Sequence, residues 1–249
     1  MNPIILIPAR MDARRLPGKP LADIGGVPMI LRVLGAALEA DIGPVVVAAG
    51  DAEIVDAVTE AGGRAVLTES ALPSGSDRIL AALAKVDSAA RHDVVVNLQG
   101  DMPFFDPAAL GASIGVLARE AGCDVATLVA PESSPADRVN PDVVKAILAL
   151  DPDQASGRAL YFTRSTLFGD GPVWRHIGLY AYRREALIRF NAAPPSALER
   201  REGLEQLRAL EMGLSIWASI VAAAPISVDT AADLDAARAY ARTVEGKEA

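Results

Sequence analysis

Positive charge is concentrated in one loop near the start of the chain, after a short apolar run. The loop contains four positive charges opposed only by Asp12: Arg10, Arg14, Arg15 and Lys19. Prolines and a glycine shape such a loop so that its backbone N–H groups can point at phosphate oxygens, and the cations match a triphosphate. The alternative is a solvated basic loop. A Walker A loop is excluded, because the chain contains no GxxxxGK[ST] string.

A second polar segment, Ser74 to Arg78, reads SGSDR and comes before an amphipathic run. Ser74 and Gly75 are small enough to approach a base or a ribose closely. Asp77 and Arg78 are suited to orienting a nucleotide-binding loop. The same string is equally typical of a turn followed by a helix cap, so both interpretations stay open.

Two aspartates follow apolar runs that predict buried strands. Asp101 ends the string Gln99-Gly100-Asp101, and Asp229 lies between Val228 and Thr230. Carboxylates at the carboxyl end of a strand suit a hard divalent cation. Asp101 and Asp229 therefore predict a Mg²⁺ site whose remaining ligands are phosphate oxygens. The alternative is that each aspartate only caps the helix that follows it.

The second half of the chain contains a third polar group. Arg175 and His176 share a predicted strand with Tyr180 and Tyr182, and alternate side chains of a strand share a face. A lone histidine in a strand is usually structural, but this face is also suited to the carboxylate and hydroxyls of a sugar acid. Further candidates are Arg164, Glu199 and the string Leu204 to Arg208.

The first half alternates between apolar runs and amphipathic segments, which indicates parallel strands joined by crossover helices. The runs are uniformly apolar, as expected when both faces of a sheet are covered. Ligands of such sheets bind beyond the carboxyl ends of the strands, where the segments after Ile7, Leu67 and Leu98 lie. The predicted strands are Ile4–Ile7, Val45–Ala49, Ala65–Leu67, Val94–Leu98 and Asp124–Val129; the predicted helices are Met29–Ala40, Gly50–Glu60, Ser76–Val86 and Pro107–Ala121.

After about Pro131 the alternation breaks, and longer strands predict an antiparallel excursion at about 132–184 that carries sugar binding or a dimer contact. We therefore predict an α/β fold: a mostly parallel sheet with flanking helices and one antiparallel excursion, in a single domain over residues 1–249. The remaining predicted strands are Val143–Leu150, Gly157–Thr163, Trp174–Arg183 and Ser215–Ala223; the remaining helices are Glu185–Asn191, Leu204–Met212 and Ala231–Val244.

Composition limits the class of protein. The chain has 249 residues, of which 51% are hydrophobic, so it can bury a sizeable core. A formal net charge of −8 argues against nucleic-acid binding. The one cysteine, Cys123, excludes an internal disulfide and fits a reducing compartment. We find no signal peptide and no apolar run long enough to span a membrane, so we expect a soluble, cytoplasmic protein without membrane insertion.

Taken in order, these motifs resemble the CMP-Kdo synthetase family, the 3-deoxy-manno-octulosonate cytidylyltransferases, from Ile4 to about Arg238. Each string alone is weak, and the ordered series is specific. CMP-sialic acid synthetases share the first motif but not the RHIGLYAY and LEQLR segments. The matching strings are RLPGKPL at Arg15–Leu21, SGSDR at Ser74–Arg78, QGD at Gln99–Asp101, YFTR at Tyr161–Arg164, RHIGLYAYR at Arg175–Arg183, LEQLRALE at Leu204–Glu211 and VDT at Val228–Thr230.

The resemblance implies a nucleotide-diphospho-sugar-transferase-like fold, usually a homodimer, that transfers CMP from CTP to Kdo for lipopolysaccharide biosynthesis. It implies that Asp101 and Asp229 hold Mg²⁺ and act in catalysis with Arg15 and Lys19. The implied nucleotide-binding residues are Ala9, Arg10, Arg15, Lys19, Ser74, Asp77, Arg78 and Gln99; the implied sugar-binding residues are Arg164, His176, Tyr180, Glu205 and Gln206.

Four positions depart from the family pattern. Met102 replaces a Glu, Leu72 a His, Ala13 a Ser and Ala232 a Glu. These changes leave two alternatives open: a cytidylyltransferase for a Kdo relative, such as 8-amino-Kdo or another keto-sugar acid, and a catalytically inactive protein that binds sugar nucleotides.

Overall fold

The computed structural model describes residues 1–13, 15–132, 134–150, 155–167, 169 and 171–246. Arg14 of the predicted basic loop lies outside these residues. Packing divides the chain into two compact units. The first unit comprises Asn2–His92, Asn97–Pro107 and the segment from Pro225 onward, and the second comprises Met1, Asp93–Val96 and Ala108–Ala224.

The first unit contains three parallel strands in the order β5-β4-β1. The central strand β4 is covered on both faces, since every one of its residues is buried, whereas Leu67 of β5 is exposed. The register places Ile7 beside Val47 and Ala49 beside Leu67. Its first elements are β1 (Pro3–Ala9), a 3₁₀ turn (Lys19–Leu21), β2 (Asp23–Ile24), β3 (Val27–Pro28), α1 (Met29–Glu39), β4 (Val45–Ala49), α2 (Ala52–Glu60), β5 (Ala65–Leu67) and α3 (Gly75–Val86).

The second unit has strands in the order β6-β10-β7-β11-β9-β8. Strand β10 runs antiparallel to β7 and to β8, β9 runs antiparallel to β8 and β11, and β7 and β11 are parallel. The elements are β6 (Val94–Asn97), α4 (Ala108–Arg119), β7 (Val125–Glu132), α5 (Pro135–Val139), β8 (Lys145–Leu150), β9 (Ser156–Thr163), β10 (Val173–Arg183), α6 (Arg184–Ala192), α7 (Ala197–Glu202), α8 (Gln206–Glu211) and β11 (Ile216–Ile220).

The chain closes with α9 (Ala231–Glu245), which belongs to the first unit. Its buried face presents Leu234, Ala237 and Ala241 at helical spacing. These side chains share a core cluster with Met29 and Val228. This packing anchors the segment that carries Asp229 against the first unit.

The predicted α/β fold and its antiparallel excursion are confirmed, with corrections to several elements. The short strands β2 and β3 were not predicted, and β8 starts at Lys145 instead of Val143. Two short helices, α5 and α7, were not predicted. The helix predicted at Leu204–Met212 is shorter, because Gly203 ends α7 in the left-handed region at φ 65° and α8 starts only at Gln206. The strand predicted at Ser215–Ala223 is also shorter, spanning Ile216–Ile220.

In the residues that the structure describes, every helix is too short or too polar to cross a membrane.

Candidate active site

Hydrogen bonds of Met11 and Gly18 hold the described part of the loop after β1. Gly18 has φ +74°, a left-handed conformation that favours glycine, and its N–H donates to Met11 O at 3.0 Å. The Met11 N–H in turn donates to Asp51 Oδ2 at 2.8 Å. The loop therefore delivers Lys19, the first residue of the 3₁₀ turn, to a defined position.

Lys19 connects the two predicted metal ligands. Its Nζ donates to Asp101 Oδ2 at 2.9 Å, to Asp229 Oδ1 at 3.2 Å and to the Val228 carbonyl oxygen at 2.9 Å. Arg15 adds a second cation, with Nη2 at 3.0 Å from Asp229 Oδ1. Two carboxylates that are far apart in sequence thus converge on one positively charged point.

Backbone geometry explains this convergence. The Val228 N–H donates to Asp101 O at 2.9 Å, which fixes the two segments side by side. A Cβ atom at Gly100 would lie 3.1 Å from Pro8 O, so glycine permits the close approach of the loop before Asp101 to the end of β1. These contacts place both aspartates at the carboxyl end of β1.

Helix capping does not account for Asp229. Thr230 is the N-cap of α9, and Thr230 and Asp233 form a reciprocal capping box. The Asp229 side chain is instead engaged by Lys19 and Arg15. The interpretation of Asp229 as a simple cap is therefore wrong.

A cavity of about 360 Å³ opens over these groups, entirely within the first unit. Leu16, Pro20 and Gly100 also line it, and none of these was a predicted site residue. Gly75, which was expected to approach a base or a ribose, lines the cavity as well. The predicted residues that line the cavity are Ala9, Arg10, Arg15, Lys19, Ser74, Arg78, Gln99, Asp101 and Asp229.

Residues of the SGSDR string both cap a helix and line the cavity. Ser74 caps α3, since its Oγ accepts from the Asp77 N–H at 3.1 Å and donates to Asp77 Oδ2 at 2.7 Å. Ser74 also lines the cavity, whereas Asp77 serves this cap. Arg78 is buried and donates to Thr68 Oγ1 and to the carbonyl oxygens of Glu69 and Ser70, and burial lowers its pKa.

The carboxylate pair fits a cation that takes its other ligands from a nucleotide. Burial raises the pKa of Asp101, and the adjacent Lys19 ammonium opposes this shift. Within the described ranges, no three carboxylate, imidazole or thiol groups cluster closely enough to hold a metal ion. Mg²⁺ commonly binds one or two protein carboxylates together with phosphate oxygens and water, so Asp101 and Asp229 suit it.

The four departures from the family pattern lie in different environments. Ala13 and Leu72 line the cavity, where they replace polar groups with apolar ones. Met102 is 4% exposed and belongs to the core. Ala232 is exposed on α9. Only the first two therefore alter the surface that a nucleotide would contact.

The predicted sugar-binding residues all belong to the second unit. His176, Tyr180 and Tyr182 form one row of rings on β10, with centroids 5.5 Å and 5.8 Å apart. The row continues to Phe162 beside His176, at 5.0 Å, and to Phe190 beside Tyr182, at 6.1 Å. The expected common face of the histidine and the tyrosines is confirmed. Burial raises the pKa of Tyr180 far above its ordinary value.

Arg208 on α8 binds two acidic residues that the sequence singled out, Glu199 and Glu205. Its guanidinium donates to both carboxylate oxygens of Glu199 at 2.8 Å and to Glu205 Oε1 at 3.2 Å, and it lies 4.5 Å from the centre of the Phe190 ring. Gln206 is 7% exposed. Its Nε2 is buried without a hydrogen-bond partner among the described residues. Such a donor can take a ligand or a water molecule as its partner.

Arg164 lies half-buried at the end of β9. Its Nε donates to Glu202 O at 3.1 Å and its Nη1 to Pro141 O at 3.0 Å. These contacts fix the guanidinium, and a guanidinium carries five N–H groups in all, so further donors remain for a ligand.

Burial lowers the pKa of His176 from 6.5 to about 3. Between these values the unfolded chain binds more protons than the folded protein, so the free energy of unfolding falls as the pH is lowered through that range. We expect a His176→Gln variant to lose less stability between about pH 7 and about pH 5, as measured by urea unfolding. His92 is present in both proteins, so any contribution it makes cancels in the comparison. Equal losses would contradict burial of a neutral imidazole.

Comparisons with known proteins identify the class. A family model described as cytidylyltransferase matches residues 4–216. A solved structure of CMP:2-keto-3-deoxy-manno-octonic acid synthetase complexed with CTP superposes with a TM-score of 0.88, at 36% identity over 100% of both chains. The 4-diphosphocytidyl-2C-methyl-D-erythritol synthase of Anaerococcus prevotii, with a TM-score of 0.65 at 12% identity over 96% of this chain and 97% of its own, shares the fold. The chain belongs to the cytidylyltransferase family.

Curated relatives narrow the family further. The 3-deoxy-manno-octulosonate cytidylyltransferase of Rhodospirillum centenum is 62% identical over 96% of this chain and 93% of its own. The 3-deoxy-manno-octulosonate cytidylyltransferase of Parvibaculum lavamentivorans is 54% identical over 96% of this chain and 92% of its own. Within the cytidylyltransferases, the chain belongs with the 3-deoxy-manno-octulosonate cytidylyltransferases.

Proposed function

We propose that this protein transfers CMP from CTP to 3-deoxy-D-manno-octulosonate, giving CMP-Kdo and pyrophosphate. The observation that carries the proposal is the convergence of Asp101 and Asp229 on Lys19 at a cavity that Arg15 also lines. The related synthetase whose structure contains CTP supports the choice of nucleotide. The names of the curated relatives support the choice of sugar acid.

The reaction is an in-line displacement. The anomeric hydroxyl oxygen of the sugar acid forms a bond to the α-phosphorus of CTP, the bond from that phosphorus to the β-phosphate oxygen breaks, and the hydroxyl proton is released. Mg²⁺ held by Asp101 and Asp229 would supply a Lewis acid that makes this hydroxyl easier to deprotonate and offsets phosphate charge.

Arg15 and Lys19 bind the triphosphate. Both cations lie at the cavity and pair with Asp229, so they can move a short distance from carboxylate to phosphate oxygens. There they stabilise the charge that grows on the β- and γ-phosphates as pyrophosphate leaves. Cys123 takes no part, because burial raises its pKa to about 12 and leaves it a protonated core residue.

The sugar acid is bound by residues of the second unit. Tyr180 keeps its proton and can donate to a hydroxyl, since burial raises its pKa. Gln206 offers the buried Nε2 donor, and Arg164 and Glu205 provide charges of opposite sign. His176 is the fifth proposed sugar-binding residue.

A substrate screen tests the proposal. We expect Mg²⁺-dependent pyrophosphate release with CTP and Kdo, and at least about tenfold lower kcat/KM when another nucleoside triphosphate replaces CTP. The panel includes 8-amino-Kdo and a sialic acid as alternative acceptors. Faster turnover with 8-amino-Kdo would assign that sugar instead. Binding of CTP without turnover of any acceptor would identify an inactive sugar-nucleotide-binding protein and would contradict the proposal.

We further propose that the product serves lipopolysaccharide biosynthesis, because Kdo is a sugar of that polymer. CTP is a cytoplasmic metabolite, so we place the protein in the cytoplasm. The family resemblance leads us to expect a homodimer, which light scattering after size-exclusion chromatography would measure. The acidic balance of the chain supports small-molecule partners and no nucleic acid.

A further inference from the structure

A buried threonine lies behind the row of rings in the second unit. Thr127 on β7 is 0% exposed. Its Oγ1 lies 2.8 Å from Leu179 O, 3.1 Å from Ile177 O and 3.1 Å from His176 Nε2. The pairing of β10 with β7 shifts register between Ile177 and Tyr180, so this irregularity turns two carbonyl groups toward one hydroxyl.

Counting protons fixes the direction of each hydrogen bond. A threonine hydroxyl has one hydrogen to donate, and carbonyl oxygens can only accept. A hydrogen pointed at the ring would leave two oxygen–oxygen contacts, of 2.8 Å and 3.1 Å, with no hydrogen between them. We therefore assign the hydrogen to the carbonyl oxygens, so that toward the ring Oγ1 accepts. The hydrogen bond at 3.1 Å then requires the His176 ring to carry its proton on Nε2.

The second ring nitrogen is left with a lone pair. The ring lies beside Phe162 and Tyr180, with centroid distances of 5.0 Å and 5.5 Å. Burial also lowers the His176 pKa, which keeps the ring neutral near pH 7. The side-chain hydrogen bond of the ring is made through Nε2. A neutral ring protonated on Nε2 offers Nδ1 purely as an acceptor.

We propose that Thr127 is a positioning residue that holds His176 protonated on Nε2, so that Nδ1 accepts a hydrogen bond from a hydroxyl of the sugar acid. This inference rests on the proposed function and specifies which group of the substrate His176 contacts in the sugar site. An acceptor repels a carboxylate. The carboxylate of the sugar acid is therefore bound by donors such as the buried Gln206 Nε2, which lacks a partner among the described residues.

Nitrogen-15 NMR of the free protein tests the proton position. The chain has two histidines, and a His92→Gln variant leaves the signals of His176 alone. We expect a pyrrole-type shift at Nε2 and a pyridine-type shift at Nδ1. A pyrrole-type shift at Nδ1, or a ring that titrates near its ordinary pKa, would overturn the proposal. Adding CTP and the sugar acid should move the Nδ1 resonance, and an unchanged resonance would count against the hydroxyl contact.

Matched variants test the consequence for the substrate. The His176→Asn substitution places an amide acceptor near the position of the ring Nδ1. The His176→Gln substitution places its amide near the position of the ring Nε2. We expect His176→Asn to retain about tenfold more kcat/KM for the sugar acid than His176→Gln, with KM for CTP equal in both. Thr127→Val should raise KM for the sugar acid about tenfold, and Thr127→Ser should stay near wild type. Equal losses in both members of either pair would overturn the proposal.

The two proposals fail in distinguishable ways. The proton position is measured on the protein without substrate, so it stands even if every sugar acid in the screen is inactive. Conversely, turnover of Kdo by a protein whose His176 is protonated on Nδ1 would retain the proposed function and remove the role of Thr127.

Discussion

An Asp101→Asn variant is expected to lose about 10³-fold in turnover while keeping its fold. The amide can still accept from Lys19, so the hydrogen bond at 2.9 Å survives, but the negative charge that would hold Mg²⁺ is removed. A loss of about 4 kcal/mol in transition-state stabilisation corresponds to this factor. Pyrophosphate release measures the rate, and circular dichroism measures the fold.

Asp56→Asn is the matched control for this variant. Asp56 is exposed on α2 and is not among the residues that line the cavity, so the same chemical change there should leave turnover unchanged. Normal pyrophosphate release by Asp101→Asn would refute a metal-binding role for Asp101. An equal loss in both variants would attribute the effect to the general charge of the protein.

Removing the Lys19 ammonium should have the second-largest effect. Lys19→Met keeps most of the side-chain stem but leaves Asp101 and Asp229 without their shared cation. We expect kcat/KM for CTP to fall about 10²-fold, because a triphosphate contact is lost, and KM for the sugar acid to change little. Steady-state kinetics with each substrate varied in turn separates these effects.

The same variant should be less stable and more responsive to Mg²⁺. Asp101 loses its counter-charge and Asp229 keeps only Arg15, which should destabilise the fold by about 1–3 kcal/mol. A divalent cation can replace the ammonium between the two carboxylates. We therefore expect Mg²⁺ to raise Tm more in Lys19→Met than in the wild type. Lys85→Met, which removes an exposed ammonium that donates to Leu67 O, should show the wild-type response. Equal Mg²⁺ responses in all three proteins would contradict the idea that cation and ammonium share one position.

Strong local patterns made much of the first unit predictable. The continuous apolar runs in β1 and β4 could only be buried strands, and the polar segments that follow parallel strands meet at one sheet edge. For this reason Arg15, Lys19, Ser74, Gln99 and Asp101 were predicted together, and they line one cavity. In the second unit, helix α7 also had a sequence signal for its start, because Ser196 and Glu199 form a capping box.

Other features depend on contacts that are distant in sequence. The hydrogen bond from Val228 to Asp101 O brings the two aspartates together, and no local pattern at either position specifies it. Thr127 appears in the sequence only as one polar residue in an apolar strand, and its role follows from the register shift in β10. Arg208 is close in sequence to its partner Glu199, but the contact joins two different helices, α8 and α7, whose packing no local pattern specifies.

Counting bound Mn²⁺ by electron paramagnetic resonance, in the presence of a non-hydrolysable CTP analogue, tests the central claim most directly. If Asp101 and Asp229 hold the divalent cation, the wild type should bind Mn²⁺ with the nucleotide, and both Asp101→Asn and Asp229→Asn should lose most of that binding. Mn²⁺ binding at wild-type strength by either variant would contradict the account.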